Sequence, residues 1–377
     1  MPGATPSRVI VGLSGGVDSA VAALCLLREG LHVEALHMTN WDDADEHCTA
    51  GTDLADARRV CADLGIHLHH VNFAREYRDE VFADFLDELR AGRTPNPDVA
   101  CNRHIKFGAF LHHALRLGAD RIATGHYARI VPGPVPRLFR PADREKDQTY
   151  FLHAVDSPAL ARTLFPLGAI GKGEVRRLAR DYGLANHAKR DSTGICFVGE
   201  RPFRQFLAEH VSSNPGPILT ASGEEVGQHS GLPFYTLGQR EGLGVGGCRG
   251  SLQAPWFVAA KDIARNALIV VQGSDHPGLR RQEVTAGDLR WLAGEPAGIS
   301  GGRNLKARIR HRHEPSPCHA HLLPEGRLRV SFDLPQRTPT PGQYLVLYDG
   351  DECLGGGVIL DDATQPIRRD NGGLATA

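Results

Sequence analysis

No stretch of eighteen apolar residues occurs in the 377-residue chain, so no membrane span is expected. No basic and apolar leader precedes the first strand-like segment, and the expected compartment is the cytoplasm. No two of the eight cysteines, at positions 25, 48, 61, 101, 196, 248, 318 and 353, have the C-x-x-C spacing. A zinc ribbon or thioredoxin motif is therefore unsupported, and a structural disulfide framework is not expected in so long a chain without a secretion signal. The net charge is −1, so the molecule carries no overall basic signature, and any nucleic-acid surface has to be local. The Gly-Lys-Ser/Thr ending of the Walker loop is also missing from the one glycine-rich strand–helix junction.

What is present is a globular composition, 41% hydrophobic and 23% charged, in a chain long enough for two or three domains. The junction just mentioned is Val9-Ile-Val-Gly-Leu-Ser-Gly-Gly-Val-Asp-Ser19. A β-branched strand runs into Ser14-Gly15-Gly16, and a helical pattern follows from Ala20 to Arg28. Strand, bulk-free turn and helix N-terminus make an anion site. Ser14 and Ser19 add hydroxyls. Asp18 would repel a bare phosphate, which suggests Mg²⁺ alongside.

Strand and helix patterns alternate through the first part of the chain: strands at 32–38, 66–73 and 121–124, helices at 53–64, 75–90 and 104–117. That order implies a doubly wound parallel sheet, whose ligand edge would hold Gly12–Ser19, Met38 and Gly125-His126. Cys25 and Cys61 fall on apolar helix faces and read as core. Cys48 lies in an acidic, polar stretch that reads as a solvated loop. In Arg93–Phe107 two prolines stiffen the chain, and Cys101 is expected just before a helix starting near Asn102. A thiol there, close to Arg103 and Lys106, favours the thiolate, with Asp98 as a proton carrier. The residues alone leave open a buried Cys101 beneath an Asp98 N-cap. Cys196 closes a second polar loop, Lys189–Phe197, where Lys189 and Arg190 supply positive charge. Cys196 can also be read as a buried loop cysteine packing beside Phe197, a reading that two such loop cysteines, each flanked by base and turn residues, weaken.

Ten glycines between Gly216 and Gly250 exclude helices and indicate a small turn-rich domain. Beyond residue 282 short strands recur at 305–312, 327–332, 343–348 and 353–359, as in a small β-barrel. Arg303, Lys306, Arg308, Arg310 and Arg312 lie within ten residues, and the even-numbered ones would share a strand face. Such a row suits phosphate contact or a solvated face. His311, His313, Cys318 and His319 have no recognised zinc spacing. The domains are expected at 1–205, 206–281 and 282–362, with a disordered tail at 363–377.

The glycine-rich loop resembles the PP-loop of the adenylating ATP pyrophosphatases, an adenine nucleotide alpha hydrolase-like fold. T-P-N-P-D-x-x-C-N-x-x-I-K-F, A-T-G-H-Y at 123–127, K-D-Q-T-Y-F-L at 146–152, D-S-T-G-I-C-F at 191–197 and Phe234–Gly244 follow in order. Together they are similar to the tRNA-uridine 2-sulfurtransferases, the MnmA family, from about residue 8 to 360. The resemblance implies ATP-dependent 2-thiolation of a wobble uridine. It implies ATP contacts at Gly12, Leu13, Ser14, Gly15, Gly16, Val17, Asp18, Ser19, Met38 and Gly125, with Mg²⁺ reaching Asp18 through the nucleotide. Asn96, Pro97 and Asp98 would sit near the target base. His126, Lys146, Asp147, Gln148, Arg310, His311 and Gln343 would contact tRNA. Cys196 would carry a persulfide and Cys101 would attack it, ending in a transient Cys101–Cys196 disulfide, with Asp98 as acid/base. That bond requires Cα atoms within about 7 Å at that stage. Whether the two cysteines instead hold an iron–sulfur cluster stays open. The expected partners are tRNA and a persulfide donor or relay protein, and the protein is expected to be a monomer. A carbon–nitrogen-forming synthetase of the same superfamily would need neither the paired loop cysteines nor the basic β domain, and a non-catalytic tRNA binder would form no AMP.

Overall fold

The computed structural model describes residues 7–41, 50–190, 203–245 and 254–361. β1 (Arg8–Gly12) contributes Val9, Ile10 and Val11, all fully buried, as expected of a central parallel strand covered on both faces. It is followed by α1 (Val17–Arg28), β2 (His32–Thr39), α2 (Ala50–Leu64) and β3 (Leu68–Asn72). Residues 74–90 form one continuous helix with a π-turn at Arg78–Phe82, and residues 97–116 form another with a π segment at Cys101–Ala109. Then come β4 (Arg121–Ala123), the hairpin β5 (Arg129–Val131) and β6 (Arg137–Phe139), β7 (Thr163–Leu164) and helix Lys172–Asp181.

The sheet is all parallel in the order β3-β2-β1-β4-β7. Ile10 and Leu36 pack toward the 74–90 and 97–116 helices, with Phe82, Phe85 and Phe110. Val9, Val11 and Ala23 pack on the other face, next to a cluster in which α1, α2 and helix Lys172–Asp181 meet. The chain leaves β1 to one side for β2 and later returns on its other side as β4. The crevice between β1 and β4 is therefore the switch point where such sheets bind ligands.

The second sheet is small: β8 (Gly216–Thr220), β9 (Glu225–His229), β10 (Trp256–Asp262) and β11 (Ala267–Gln272), in the order β10-β11-β8-β9. Among the described residues between Gly216 and Gly250 there is a 3₁₀ turn but no α-helix. The last six strands are β12 (Arg280–Trp291), β13 (Arg303–Arg308), β14 (Ser316–Leu322), β15 (Leu328–Arg337), β16 (Tyr344–Asp349) and β17 (Glu352–Ile359). They run β12-β15-β14-β13-β16-β17, and pairing of β12 with β17 closes a six-stranded barrel that leaves no edge between its first and last strands. The β5–β6 hairpin reaches out of the first unit and pairs with β17.

Three expectations need correction. The second proline-bounded helix starts at Pro97, not near Asn102, because Asn96 caps it and proline suits the first helical turn. The row of cations on a strand from Arg303 to Arg312 is broken: β13 ends at Arg308, whose side chain is only 2% exposed and turns inward. β12 and β14 were not expected as strands, since proline, glycine and charge interrupt their apolar alternation.

Candidate active site

The loop between β1 and α1 is held from several sides. Leu13 N–H donates to Leu36 O (2.9 Å), and His37 Nδ1 hydrogen-bonds Leu13 O (2.8 Å). Gly15 has φ +81°, and a Cβ there would stand 2.5 Å from Asp53 O. Asn186 Nδ2 donates to Gly15 O at 3.0 Å. Gly16 is the N-cap of α1, and no side chain caps that end. Ser19 Oγ donates to Gly16 O (3.0 Å) and accepts from Ser14 N (3.2 Å), while Ser14 Oγ accepts from Gly16 N (3.3 Å). The result is a small rigid turn at a helix N-terminus whose first-turn donors have no side-chain acceptor among the described residues. Val17 is buried beneath it.

The loop after β4 closes over this turn. A Cβ on Gly125 would lie 2.7 Å from Ser19 N and 2.8 Å from Asp18 C, so only glycine permits the approach. Tyr127 Oη donates to Asp18 Oδ1 at 2.8 Å, and Lys172 Nζ donates to both carboxylate oxygens at 2.7 and 2.8 Å. Gln148 fixes this loop by accepting from Tyr127 N (2.8 Å) and donating its own N–H to Tyr127 O (3.1 Å). Met38 reaches the same corner, its Cε 3.7 Å from where a Gly12 Cβ would be. His126 is buried with Nδ1 on Thr124 Oγ1 (2.8 Å) and packs against the Phe107 and Phe165 rings. Burial first, and Lys106 second, hold its pKa well below the usual histidine value, so its ring is neutral.

The cysteine-bearing helix meets the same crevice. Phe110 packs 3.2 Å from the Gly12 Cβ position. Nine residues earlier on the same helix stands Cys101. Asn96 Oδ1 accepts from Asp98 N (3.2 Å), and Pro97 begins the helix. Cys101 is the fifth helical residue and is fully buried, in a cluster that includes Ile105, Tyr150 and Leu152. It stands past the first turn, where the dipole's help for a thiolate has faded, contrary to the expectation of a thiol just ahead of the helix. Its helix is π-wound from this residue to Ala109, a form frequently found at functional sites.

Three family models cover the chain. One described as a tRNA methyl transferase HUP domain matches residues 7–200, a tRNA methyl transferase PRC-barrel domain matches 204–272, and an aminomethyltransferase β-barrel domain matches 281–359. The tRNA-specific 2-thiouridylase MnmA of Chromohalobacter salexigens is 54% identical over 359 residues, covering 94% of this chain and 93% of its own. That of Methylococcus capsulatus is 55% identical over 358 residues, covering 93% and 96%. The chain belongs to the tRNA-specific 2-thiouridylase family. Among solved structures, the U34-tRNA thiolase NcsA of Methanococcus maripaludis aligns over 54% of this chain and 63% of its own at 22% identity and a TM-score of 0.34, too low to bear on the argument.

The residues that the family resemblance associates with tRNA fall into two groups. Asn96, Pro97 and Asp98 are half-buried on one turn, and Lys146 is half-buried at the end of a 3₁₀ turn. Asp147, Arg310, His311 and Gln343 also bind the protein's own units together. Gln343 Nε2 donates to Thr94 O (2.7 Å) and Pro95 O (3.2 Å). Arg310 Nη2 donates to Leu237 O (3.2 Å), Thr338 O (3.1 Å) and Thr338 Oγ1 (2.6 Å). His311 Nε2 hydrogen-bonds Asp147 O (3.0 Å), its ring 4.3 Å from that of Phe151. The Asp147 carboxylate is sealed between Arg140 Nε (2.6 Å) and Arg308 Nη2 (3.0 Å).

Cys196, and with it the expected disulfide, lies outside the described residues, as do Cys48, Cys248 and the expected tail. Lys189, expected to supply charge near Cys196, pairs with Asp53 (2.8 Å) and Asp56 (2.6 Å) of α2. Burial pushes the Cys61 thiol up to about 11 and Cys318 up to about 12, which makes both unreactive core residues. Sequence reasoning assigned no role to Lys172 or Tyr127. Both lie far from the glycine-rich loop in sequence; Tyr127 closes the A-T-G-H-Y motif at 123–127, and the signal for Lys172 was a lysine at the start of an amphipathic helix.

Proposed function

We propose that the protein uses ATP to replace the carbon-2 oxygen of a tRNA wobble uridine with sulfur. One observation carries the reading: a phosphate cradle at the sheet's switch point shares its crevice with a helix bearing Asn96, Asp98 and Cys101. Relatives named as tRNA-specific 2-thiouridylases match at more than half identity over nearly the whole chain. A uridine carbonyl oxygen leaves poorly as it stands. Adenylation turns it into one that departs with AMP while pyrophosphate is released.

The cradle fits a polyphosphate. Gly15 and Gly125 leave no room for side chains, and the α1 N-terminus is uncapped. Among the described residues no group of three or more His, Cys, Asp or Glu could hold a metal, so Mg²⁺ would come on the nucleotide, with Asp18 as its protein ligand. When bound, Mg²⁺ supplies charge neutralisation for the phosphates. Gly125 and Met38 border the nucleotide, and Ser14 and Ser19 hold the loop in shape. Asn96 and Pro97 present the target base, which an anticodon loop gives up cheaply.

Sulfur arrives as a persulfide on Cys196, loaded by an outside donor or relay protein. Cys101 attacks the Cys196 sulfur, the terminal sulfur leaves toward the activated carbon, and a Cys101–Cys196 disulfide remains for an external reductant to open. Asp98 moves the protons. Because Cys101 is buried as seen, tRNA entry has to open the Asn96–Cys101 turn. The test is mass analysis of anticodon nucleosides after incubation with ATP, Mg²⁺, tRNA and a sulfur donor. Wild type yields 2-thiouridine and AMP, and Cys101→Ser yields none of the thionucleoside. Full thiolation by Cys101→Ser would overturn its role, and absence of tRNA-dependent AMP from wild type would overturn the reading as a whole.

A further inference from the structure

Lys172 is the first residue of an amphipathic helix that lies against α1. Val175, Leu178 and Ala179 of that helix share one core cluster with Val17, Ala20 and Val21. Asp143 Oδ2 accepts the Lys172 N–H at 2.9 Å, so the backbone that launches the side chain is fixed relative to the phosphate cradle. Its ammonium lies 2.7 and 2.8 Å from the two oxygens of Asp18, which keeps Tyr127 Oη on Oδ1 at 2.8 Å. The Lys172 side chain is 13% exposed and that of Asp18 32%, so the pair sits at the wall of the crevice with the carboxylate toward its mouth.

We propose that Lys172 is a direct ligand of the nucleotide phosphates, held on Asp18 until they arrive. The inference rests on the ATP reading above. Charge decides against a purely structural pair. Asp18 alone would give the cradle a negative charge and repel a polyanion, and Lys172 cancels it. A lysine ammonium is a point charge on a flexible stem and exchanges partners more readily than a bidentate arginine. When it moves to a phosphate, Asp18 retains the Tyr127 hydroxyl and is released for the cation that accompanies the nucleotide. One lysine thus serves the empty and the loaded state with opposite partners.

The experiment is calorimetric binding of α,β-methylene ATP to the full-length protein without divalent metal, for wild type, Lys172→Met, Asp18→Asn and the double variant, with thermal melting of each. Loss of a charge-assisted phosphate contact weakens binding by about ten- to a hundredfold in Lys172→Met. Asp18→Asn binds more tightly than wild type, because Lys172 no longer has to leave a carboxylate. The double variant, freed of the Asp18 charge, binds better than Lys172→Met but stays well below both wild type and Asp18→Asn. Recovery of wild-type affinity in the double variant would show that Lys172 only neutralises Asp18 and would overturn the proposal, as would unchanged binding by Lys172→Met. Lys172→Gln, with a neutral polar head on a similar stem, is the second variant should the Met variant melt early, and the same loss is expected of it. Wild type with no affinity for the analogue would sink the ATP reading together with this one. Wild-type binding with unaltered variants would sink this one alone.

Discussion

Asp147 is 2% exposed and accepts from Arg140 Nε, Arg308 Nη2, Thr149 N and Thr149 Oγ1. Burial alone would raise its pKa, but Arg308, Thr149 and Arg140 together draw it below the usual aspartate value. Arg308 is equally buried, and among the described residues its Nε and Nη1 have no hydrogen-bond partner. Its guanidinium lies 5.3 Å from the Tyr348 ring centroid. Removing the carboxylate leaves a buried cation uncompensated, a loss of about 3–5 kcal/mol. Asp147→Ala is therefore expected to shift the urea midpoint of the full chain strongly downward, and Asp147→Ala with Arg308→Leu to recover part of the shift. An Asp147 whose work lay only in touching tRNA would leave the urea midpoint where it is in the absence of tRNA.

At the scale of single elements, the three strands β1, β2 and β3 are joined by one carboxylate away from the phosphate loop. Glu34 Oε1 accepts from Arg8 Nε (2.7 Å), and its Oε2 accepts from Arg8 Nη2 (3.0 Å) and meets His69 Nε2 (2.6 Å). The Arg8 hydrogen bonds, helped by His69 and opposed by burial, bring its pKa from 4.5 down to about 2. A depressed carboxylate contributes stability that is fully present above the unfolded value and is lost as pH falls through the folded one. Here the contribution is about 3 kcal/mol above pH 4.5, fading toward pH 2. Glu34→Gln should lower the melting temperature at pH 7 and converge on wild type in acid, with nucleotide affinity unchanged. A constant difference across that range would mean that packing, not charge, is at stake. The same sheet explains what could be read in advance. Val9–Val11 and the glycine stops fix strand, turn and helix through local sequence, and the phosphate loop was legible for that reason. The π winding from Cys101 onward was not, since no local pattern distinguishes it from an α-helix. The burial of Arg308 was also illegible, because its partner, Asp147, comes from another unit of the fold.

The whole molecule is an assembly in which the barrel braces the turn that carries Asn96. β6 adds to β17 through Leu138 opposite Cys353 and Phe139 opposite Glu352. Thr94 N–H donates to Pro341 O (2.8 Å), and Gln343 donates to the carbonyls of Thr94 and Pro95. A Cβ at Gly342 would be 3.0 Å from Thr94 N, so the barrel and the Thr94–Asn96 segment meet backbone to backbone. The barrel can therefore set the geometry of the Asn96–Cys101 turn without touching the base. Gln343→Ala removes three hydrogen bonds to that segment, the third accepted by Gln343 Oε1 from Asn96 Nδ2 at 3.5 Å, while the phosphate cradle keeps every partner named above. Amide exchange across 93–101 in the tRNA-free protein should accelerate, and thiolation kcat should fall about tenfold, the equivalent of one well-placed hydrogen bond. Affinity for the ATP analogue should not change. If kcat fell with exchange unaltered, Gln343 would act on tRNA directly and not through the turn. If analogue affinity fell as well, the barrel would be supporting the sheet as a whole, and the division of labour between cradle and turn would not hold.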